Sequence, residues 1–445
     1  MQTTQTTYQD AWKFLDQLQF FKIKLGLDSM NRFLERLGNP HRDLQCIHIG
    51  GTNGKGSVGA TLCSILTTAD YKTGFYTSPH LSSVRERFRI GNNYISKEDF
   101  ARLISKIQEV LDGGQITYFE CTTTLALLWF AEQKVDCAIL EVGMGGRLDA
   151  TNVVTPLLSL ITNVSMDHEQ YLGTTLAEVS AEKAGIIKQG IPVVSGVAND
   201  DSGRVIRQTS DERKAPLFLF AREFNGSPAK ENKKLWQYYG LDGRVLVDLP
   251  MALRGNYQIA NASLALAAIQ LLRQQGWTVT QEQIRTGLQQ TCWPGRLEFF
   301  RLNKDNKQVD EQSQGQNFLL DGAHNPAGVK ALKHALRDFS RNRLILVWGA
   351  MNDKDLGTTL RDIAPQADII IFTRPESERS ALTSQLKGSL PAAMHQKVVC
   401  KETVPAALQQ ARILASDRDL ICIAGSLYLV GTARQLLLGG VVDDE

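Results

Sequence analysis

Short apolar segments of strand length recur in the first half of this chain, and segments of helical periodicity separate them. Each apolar segment ends in a glycine-rich or polar turn, and together they occupy residues 46–49, 73–77, 135–141, 157–164 and 191–194. Helical periodicity runs through residues 58–68 and 123–132. Strands that are apolar throughout and alternate with helices are typical of a parallel sheet covered on both faces. The pattern therefore predicts an α/β fold.

A second series of strand-length segments follows Arg296 and predicts a second α/β domain. Its strands are expected at residues 318–320, 344–348, 369–372 and 420–424. Because 445 residues exceed one compact domain, we predict a domain of residues 1–298 and a smaller α/β domain of residues 299–445. The polar residues 304–316 are expected to form a hairpin or surface loop. Residues 199–248 contain short β-like runs at residues 217–220 and 245–247, and they are expected to form a surface extension without catalytic residues.

The charges of the chain nearly cancel, since 49 Lys and Arg against 47 Asp and Glu give a net charge of +2. This balance predicts neither a nucleic-acid nor a membrane partner. No apolar run is long enough to cross a bilayer, and the first residues lack the pattern of a signal peptide. The seven cysteines lack C-x-x-C spacing and are expected to be reduced core residues. A cytoplasmic protein is predicted.

A glycine-rich stretch follows the first strand and precedes a helix that is expected to begin near Val58. The stretch consists of Gly50, Gly51, Thr52, Asn53, Gly54, Lys55, Gly56 and Ser57. Glycines let backbone N–H groups turn toward a phosphate, and a helix N-terminus adds partial positive charge. Lys55 can reach the β- and γ-phosphates, and Ser57 can bind Mg²⁺. The stretch predicts a nucleoside triphosphate site, and the alternative is a turn that binds nothing.

Polar residues follow two further strands at their carboxyl ends, where open α/β sheets bind ligands. Glu141 ends the strand predicted at residues 135–141 and is placed to hold Mg²⁺, unless it caps a helix. His168 follows the next strand and is either a second metal ligand or a structural histidine. Lys183 lies in a helical segment, where position alone indicates a solvated side chain.

An ordered set of motifs extends from the glycine-rich stretch to the last predicted helix. The motifs are T-S-P-H-L from Thr77, E-V-G-M-G-G-R-L-D-A-T-N from Glu141, D-H from Asp167, A-E-K-A-G-I from Ala181, R-G-N-Y-Q-I-A-N from Arg254, P-G-R from Pro294, D-G-A-H-N-P from Asp321 and G-S-L-Y from Gly425. This set resembles the folylpolyglutamate synthase/dihydrofolate synthase family of Mur-type ligases. The resemblance implies an N-terminal P-loop ATPase domain and a Rossmann-like C-terminal ligase domain.

The resemblance also implies roles for individual residues. Catalysis is expected to depend on Lys55, Glu141, His168 and Lys183. Two Mg²⁺ ions that bridge the ATP phosphates are expected on Ser57, Ser78, Glu141, His168 and Lys183, the last as a carbamate, which turns an ammonium into an anionic ligand. ATP is expected to contact the glycine-rich stretch, Asn261, Arg296 and Asp321, with His324 beside the phosphates. For Arg296 and Asp321 the alternative is an interdomain ion pair.

By the same resemblance, the expected activity joins L-glutamate to a folate or dihydropteroate carboxylate through an acyl phosphate, with release of ADP and phosphate. A monomer is expected, and domain closure would keep water from the acyl phosphate. Residues 25–27 and the loop of residues 77–89 are the expected folate-side elements. The alternatives are a dihydrofolate synthase alone, another Mur-type ligase such as a peptidoglycan-precursor ligase, and a non-catalytic ATP-binding protein.

Overall fold

The structure is a computed structural model that describes residues 6–18, 26–197, 200–232, 235–310, 312–352 and 354–439. Leu25, the first residue of one expected folate-side element, lies outside the described residues. Within those ranges, no helix combines the length and the apolar character needed to cross a membrane.

An eight-stranded sheet forms the centre of the N-terminal part. Its strands are β1 (Cys46–Gly50), β2 (Thr73–Tyr76), β3 (Phe88–Ile90), β4 (Asn93–Tyr94), β5 (Cys137–Glu141), β6 (Leu158–Ile161), β7 (Val193–Ser195) and β8 (Leu217–Leu219), in the spatial order β4-β3-β2-β5-β1-β6-β7-β8. Strands β2, β5, β1, β6, β7 and β8 are parallel, whereas β3 and β4 pair antiparallel at one edge. The mostly parallel sheet predicted for this part is confirmed.

Helices cover both faces of this sheet. Since successive strand residues point to opposite sides, each strand packs against both layers of helices. The helices of this part are α1 (Tyr8–Gln17), α2 (Asp28–Arg36), α3 (Lys55–Thr68), α4 (Lys97–Leu111), α5 (Tyr118–Glu132), α6 (Glu169–Leu172), α7 (Leu176–Ala184), α8 (Asp201–Glu212), α9 (Tyr257–Gln274) and α10 (Gln281–Gln290). Phe75 packs in the core with α3, α9 and α10, whereas its neighbour Tyr76 packs in the core with α4 and α5.

The C-terminal part contains a six-stranded sheet of its own. The strands are β12 (Glu298–Leu302), β13 (Gln316–Asp321), β14 (Leu344–Trp348), β15 (Ile369–Thr373), β16 (Val398–Lys401) and β17 (Leu420–Ala424), in the order β12-β13-β17-β14-β15-β16. Only the pair β12 and β13 is antiparallel among these described strands, and the described residues 303–310 and 312–315 belong to the hairpin connection between the two, as predicted. The helices are α11 (Pro326–Ala335), α12 (Leu356–Ile363), α13 (Thr383–Gly388), α14 (Val404–Leu414) and α15 (Leu427–Leu438).

The segment predicted to be a surface extension, residues 199–248, is built differently. Its strand β8 extends the eight-stranded sheet, and a separate antiparallel sheet follows with the strands β9 (Asn225–Pro228), β10 (Leu235–Tyr239) and β11 (Val245–Pro250). Trp236 and Tyr238 of β10 are buried in the same core as α9. The prediction was wrong because alternate apolar residues of a short strand can form a buried face despite the charged residues nearby.

Two smaller expectations also change. Helix α3 begins at Lys55 rather than near Val58, because Gly54 caps it with a left-handed φ of +88° and the next residues form its first turn. The cysteines are all free, but Cys292 and Cys400 are exposed rather than in the core.

Candidate active site

The predicted site residues meet in one cleft between the two sheets. The cleft has a volume of about 370 Å³ and lies at the carboxyl ends of the parallel strands of the N-terminal sheet. Every predicted site residue lines it: Gly51, Thr52, Asn53, Gly54, Lys55, Gly56, Ser57, Ser78, Glu141, His168, Lys183, Asn261, Arg296, Asp321 and His324. The C-terminal part contributes the wall that contains Asp321 and His324, so residues from both parts face the same space.

The glycine-rich stretch connects β1 to α3 and is held in shape by its neighbours. The Asn163 side chain accepts from Asn53 N at 3.0 Å and donates to Asn53 O at 2.8 Å. Lys55 Nζ donates to the carbonyl oxygens of Gly51 at 3.0 Å and Thr52 at 3.1 Å. The lysine therefore lies folded over the loop, at the N-terminus of α3, where an anion is favoured.

Gly51 has room for no side chain. Its φ is +135°, and a Cβ there would lie 2.0 Å from Thr162 Oγ1, which donates to Asn53 O. We expect Gly51→Ala to lower the free energy of unfolding by about 3 kcal/mol through combined strain and overlap. Gly190→Ala is the control, because Gly190 has a φ of +69° but nothing within 4 Å; it should cost only about 1 kcal/mol. Equal losses in urea titrations of the two variants would contradict this account of the loop.

Ser57 is linked to helix α9 by an amide chain. Gln258 Nε2 donates to Ser57 Oγ at 3.2 Å, and Asn261 Nδ2 donates to Gln258 Oε1 at 2.8 Å. All three side chains are buried. The amide of Asn261 also lies against the loop, since a Cβ on Gly54 would be 2.7 Å from Asn261 Oδ1. Asn261 is thus positioned at the edge of the loop, on the side facing the cleft.

Glu141 ends β5 and is buried at the floor of the cleft. Its Oε2 accepts from Thr77 Oγ1 and, at 3.4 Å, from Ser78 N, so it does not cap a helix. Burial raises the pKa of Glu141, although Lys55 and Thr77 act in the opposite direction. A cation beside Glu141 would offset the cost of burying its charge.

Asp149 supports the loop that follows Glu141. Its Oδ2 accepts from Gly143 N at 3.0 Å and Met144 N at 2.9 Å, and its Oδ1 accepts from Thr151 Oγ1 at 2.5 Å. The Thr151 hydroxyl in turn contacts His48 Nε2 at 2.8 Å. Burial raises the pKa of Asp149 and lowers that of His48 to about 3, so the imidazole is neutral at physiological pH.

His168 follows β6 with a left-handed φ of +53°, and its side chain is 40% exposed. The preceding Asp167 accepts from Lys354 Nζ at 2.9 Å and from Asn325 Nδ2 at 3.0 Å. Burial alone would raise the pKa of Asp167, but His168 and these donors outweigh it and hold the pKa below its usual range. Asp167 is therefore an anion joined to two residues of the C-terminal part.

Lys183 is buried, with 3% of its surface exposed, so the solvated side chain indicated by its helical position is wrong. Helix α7 packs this residue against the loop after β5, since Arg147 N donates to Glu182 O at 2.8 Å. Burial, and after it the charge of Lys55, lowers the pKa of Lys183 to about 7. Among the described residues, no hydrogen bond or ion pair of its ammonium is present. A buried amine of this kind is half neutral near pH 7.

Arg296 lies two residues before β12, at the boundary of the two parts, and Asp321 and His324 approach from the C-terminal part. Asp321 accepts from Leu297 N at 2.9 Å and Ala323 N at 3.0 Å, and it forms no ion pair with Arg296 within the described ranges. The interdomain ion pair is therefore not what holds these two residues. His324 Nδ1 lies 2.7 Å from Gly322 O. Burial, and next the charge of Lys354, lowers the pKa of His324 to about 4.

The donor set fits Mg²⁺ that is shared with phosphates. In the part of the chain that the structure describes, no group of three His, Cys, Asp or Glu side chains is arranged to hold a metal by itself. Mg²⁺ commonly takes one or two carboxylates and completes its shell with water and substrate phosphates. A buried Glu141 beside the hydroxyls of Ser57 and Ser78, all lining the cleft of the glycine-rich loop, is consistent with that mode.

Several residues in the cleft or next to it were given no role from the sequence. Asn325 is the one with a usable signal, because it precedes Pro326 and caps α11, accepting from Gly328 N at 2.8 Å. Gln258 belongs to the motif that begins at Arg254 but was given no role there. Asn163 and Lys354 carry no such signal, because their partners Asn53 and Asp167 are distant in sequence. Phe220, which lines the cleft next to β8, lay in the segment that was assigned no function.

Comparison with protein families identifies the class of protein. Residues 49–269 match the Mur ligase middle domain, and residues 296–427 match the Mur ligase glutamate ligase domain. With the phosphate loop and the shared cleft, these matches define an ATP-dependent carboxylate–amine ligase of the Mur type. The dihydrofolate synthase/folylpolyglutamate synthase of Bacillus subtilis (strain 168) is 33% identical over 448 residues, covering 97% of this chain and 99% of that protein. The chain belongs to the dihydrofolate synthase/folylpolyglutamate synthase family.

Solved structures agree with this assignment. The folylpolyglutamate synthase of Mycobacterium tuberculosis complexed with ADP has a TM-score of 0.88 and 30% identity, over 97% of this chain and 98% of that chain. E. coli FolC in complex with DHPP and ADP has a TM-score of 0.85 and 29% identity, over 97% of both chains. The predicted α/β architecture, with an N-terminal nucleotide-binding domain and a C-terminal α/β domain, is confirmed.

Proposed function

We propose that this chain joins L-glutamate to the carboxylate of a folate or a dihydropteroate at the expense of ATP. A carboxylate does not react with an amine at neutral pH, so it is first phosphorylated by ATP. The amino group of glutamate then attacks the acyl phosphate, and ADP and phosphate leave. The observation that carries this proposal is the single cleft in which the phosphate loop, Glu141, Lys183 and the C-terminal residues Asp321 and His324 face one another.

In this proposal the loop residues 51–57 hold the ATP phosphates. Lys55 neutralises charge on the phosphoryl group during transfer, as positioned cations do in phosphoryl transfer generally. Asn261 borders the loop, and Arg296 and Asp321 contact the nucleotide from the other side of the cleft. His324, which is neutral at physiological pH, lies beside the phosphates. The two related structures are complexes with ADP, which supports a nucleotide as a ligand of this chain.

We propose that Ser57, Ser78, Glu141, His168 and Lys183 hold two Mg²⁺ ions. Bound Mg²⁺ supplies charge neutralisation between phosphate oxygens and orients them for transfer. Glu141 is buried and accepts from Thr77 Oγ1, so its orientation is fixed before any ligand arrives. His168 is held by the backbone after β6, where Asp167 anchors the turn by accepting from His168 N at 2.9 Å.

We propose that Lys183 acts as a carbamate. Its neutral amine adds to CO₂ and releases one proton, which leaves an anionic carbamate in place of an ammonium. A buried ammonium without a partner, next to a second cation, is unfavourable. The carbamate replaces repulsion from Lys55 by attraction and provides oxygen atoms suited to Mg²⁺. A pKa near 7 supports this chemistry, because a large fraction of the amine is then unprotonated.

The boundary near Glu298 remains a proposal, with residues 1–298 and 299–445 as the two domains. It is supported by β12, which starts at Glu298 and belongs to the C-terminal sheet. A cytoplasmic monomer is proposed as well; the seven free cysteines are consistent with a reducing compartment.

The test is a measurement of phosphate release from ATP with L-glutamate and either dihydropteroate or tetrahydrofolate. We expect release that requires glutamate and occurs with both acceptors. Release with dihydropteroate alone would identify a dihydrofolate synthase without the second activity. ATP binding without release under either condition would overturn the ligase proposal and favour a non-catalytic ATP-binding protein.

A further inference from the structure

An ion pair joins the two domains beside the phosphate loop. Lys354 lies between β14 and α12 of the C-terminal part, and its Nζ is 2.9 Å from Oδ1 of Asp167, which follows β6 of the N-terminal part. The two side chains are 14% and 12% exposed. Most exposed ion pairs contribute little, but a pair this sheltered is weakly screened, and loss of one partner leaves the other charge uncompensated.

The carboxylate of Asp167 is held through both oxygens. While Oδ1 accepts from Lys354 Nζ, Oδ2 accepts from Asn325 Nδ2 at 3.0 Å. Asn325 Nδ2 also donates to Asn53 Oδ1 at 3.1 Å, which ties the same contact to the phosphate loop. Two elements of the C-terminal part therefore hold one N-terminal carboxylate. These contacts can exist only when the two domains are together.

The position of Asp167 in the chain gives these contacts a consequence for the reaction. Asp167 Oδ1 also accepts from His168 N at 2.9 Å, and this bond fixes the backbone that carries His168. His168 lines the cleft and has a left-handed φ of +53°. His168 is also the residue before α6, and its carbonyl oxygen accepts from Tyr171 N at 2.9 Å and Leu172 N at 3.1 Å. A shift of Asp167 would therefore move His168 together with the start of this short helix.

We propose that Lys354 is a positioning residue for the ligation reaction, whose ion pair with Asp167 seats His168 in the cleft when the domains come together. The inference rests on the proposed function, because it assigns His168 a place on the metal side of the site. Lys354 then acts through Asp167 rather than on a substrate. When the C-terminal part closes on the N-terminal part, the same movement places His168 and completes the site.

The variant Lys354→Met removes the charge and keeps most of the side-chain length. We expect kcat to fall by about tenfold, which corresponds to roughly 1.4 kcal/mol, and the Mg²⁺ concentration for half-maximal rate to rise. ADP binding should weaken less than kcat falls, because the loop residues that hold the phosphates are untouched and only the contacts from the C-terminal side of the cleft are loosened. Lys354→Arg should restore most of the rate. The matched control is Lys333→Met, since Lys333 Nζ pairs with Asp362 at 3.2 Å inside the C-terminal part and should leave both parameters unchanged.

A double variant distinguishes a positioning role of Lys354 from a contribution to stability alone. In an Asp167→Asn background, Lys354→Met should have no further effect on kcat, because the pair is already broken. A full additional loss, a normal Mg²⁺ dependence in Lys354→Met, or no recovery with Lys354→Arg would each overturn the proposal. A wild-type protein without glutamate-dependent phosphate release counts instead against the proposed function.

Small-angle scattering tests the pair without turnover. With ADP and Mg²⁺ bound, Lys354→Met is expected to have a larger radius of gyration than the wild type and Lys354→Arg, because the ion pair among the contacts that join the domains is lost. Equal radii for all three proteins would overturn the role of Lys354 in closure, whether or not the wild type ligates glutamate.

Discussion

Replacing Lys183 with alanine should lower the glutamate-dependent rate by about 10²–10³-fold, comparable to the loss of one preorganised charge-stabilising group in an active site. Lys183 is buried at the cleft with 3% of its surface exposed, and its pKa is lowered to about 7. If the working form is the carbamate, the alanine variant loses an anionic ligand and a negative charge next to Lys55. The measurement is kcat for phosphate release at saturating ATP, Mg²⁺ and glutamate.

A small added carboxylic acid should restore part of the activity of Lys183→Ala, because it can occupy the space of the missing carbamate. Intact-mass spectrometry of the wild type in bicarbonate buffer should show the added mass of one CO₂, and Lys183→Ala should lack it. Lys188→Ala is the control for loss of a sheltered lysine: Lys188 Nζ donates to Asn152 O at 2.9 Å, away from the cleft lining. An active Lys183→Ala variant would contradict the carbamate proposal.

The parts of this molecule that could be predicted from sequence are those in which neighbouring residues determine the structure. The strands at residues 344–348 and 420–424 match β14 and β17 to the residue, because continuous apolar runs of that length can be buried only in the middle of a sheet. The residues of the glycine-rich stretch are consecutive, so its place between β1 and α3 follows from local order alone.

The remaining features depend on contacts between distant residues. Lys354 and Asp167 are 187 residues apart, and Gln258 and Ser57 are 201 residues apart, so no local sequence pattern predicts either contact. The burial of Lys183 has the same origin, because it follows from the packing of α7 on the loop after β5. The short run of residues 217–220 indicates a strand, and β8 forms there, but a run of this length carries no information about which sheet the strand joins.

The second large effect is expected at Lys55, where Lys55→Met should lower kcat by about 10²–10³-fold. The Lys55 ammonium donates to Gly51 O at 3.0 Å and Thr52 O at 3.1 Å, so it already lies over the loop that is proposed to hold the phosphates. Methionine keeps the unbranched chain but provides neither a charge nor a donor. The phosphoryl group would then develop charge without its nearest side-chain cation, and the transfer step should slow more than ATP binding weakens.

The change has to be separated from damage to the loop itself. Lys72→Met is the matched control, because Lys72 Nζ likewise donates to a backbone carbonyl, Gln133 O at 2.5 Å, but lies outside the cleft lining. Its rate should equal that of the wild type. ADP binding by calorimetry and the melting temperature show whether Lys55→Met retains a formed loop. If Lys55→Met folds and has the kcat of the wild type, phosphoryl transfer does not depend on this cation. That result would contradict the proposal that the loop residues 51–57 form the phosphate site.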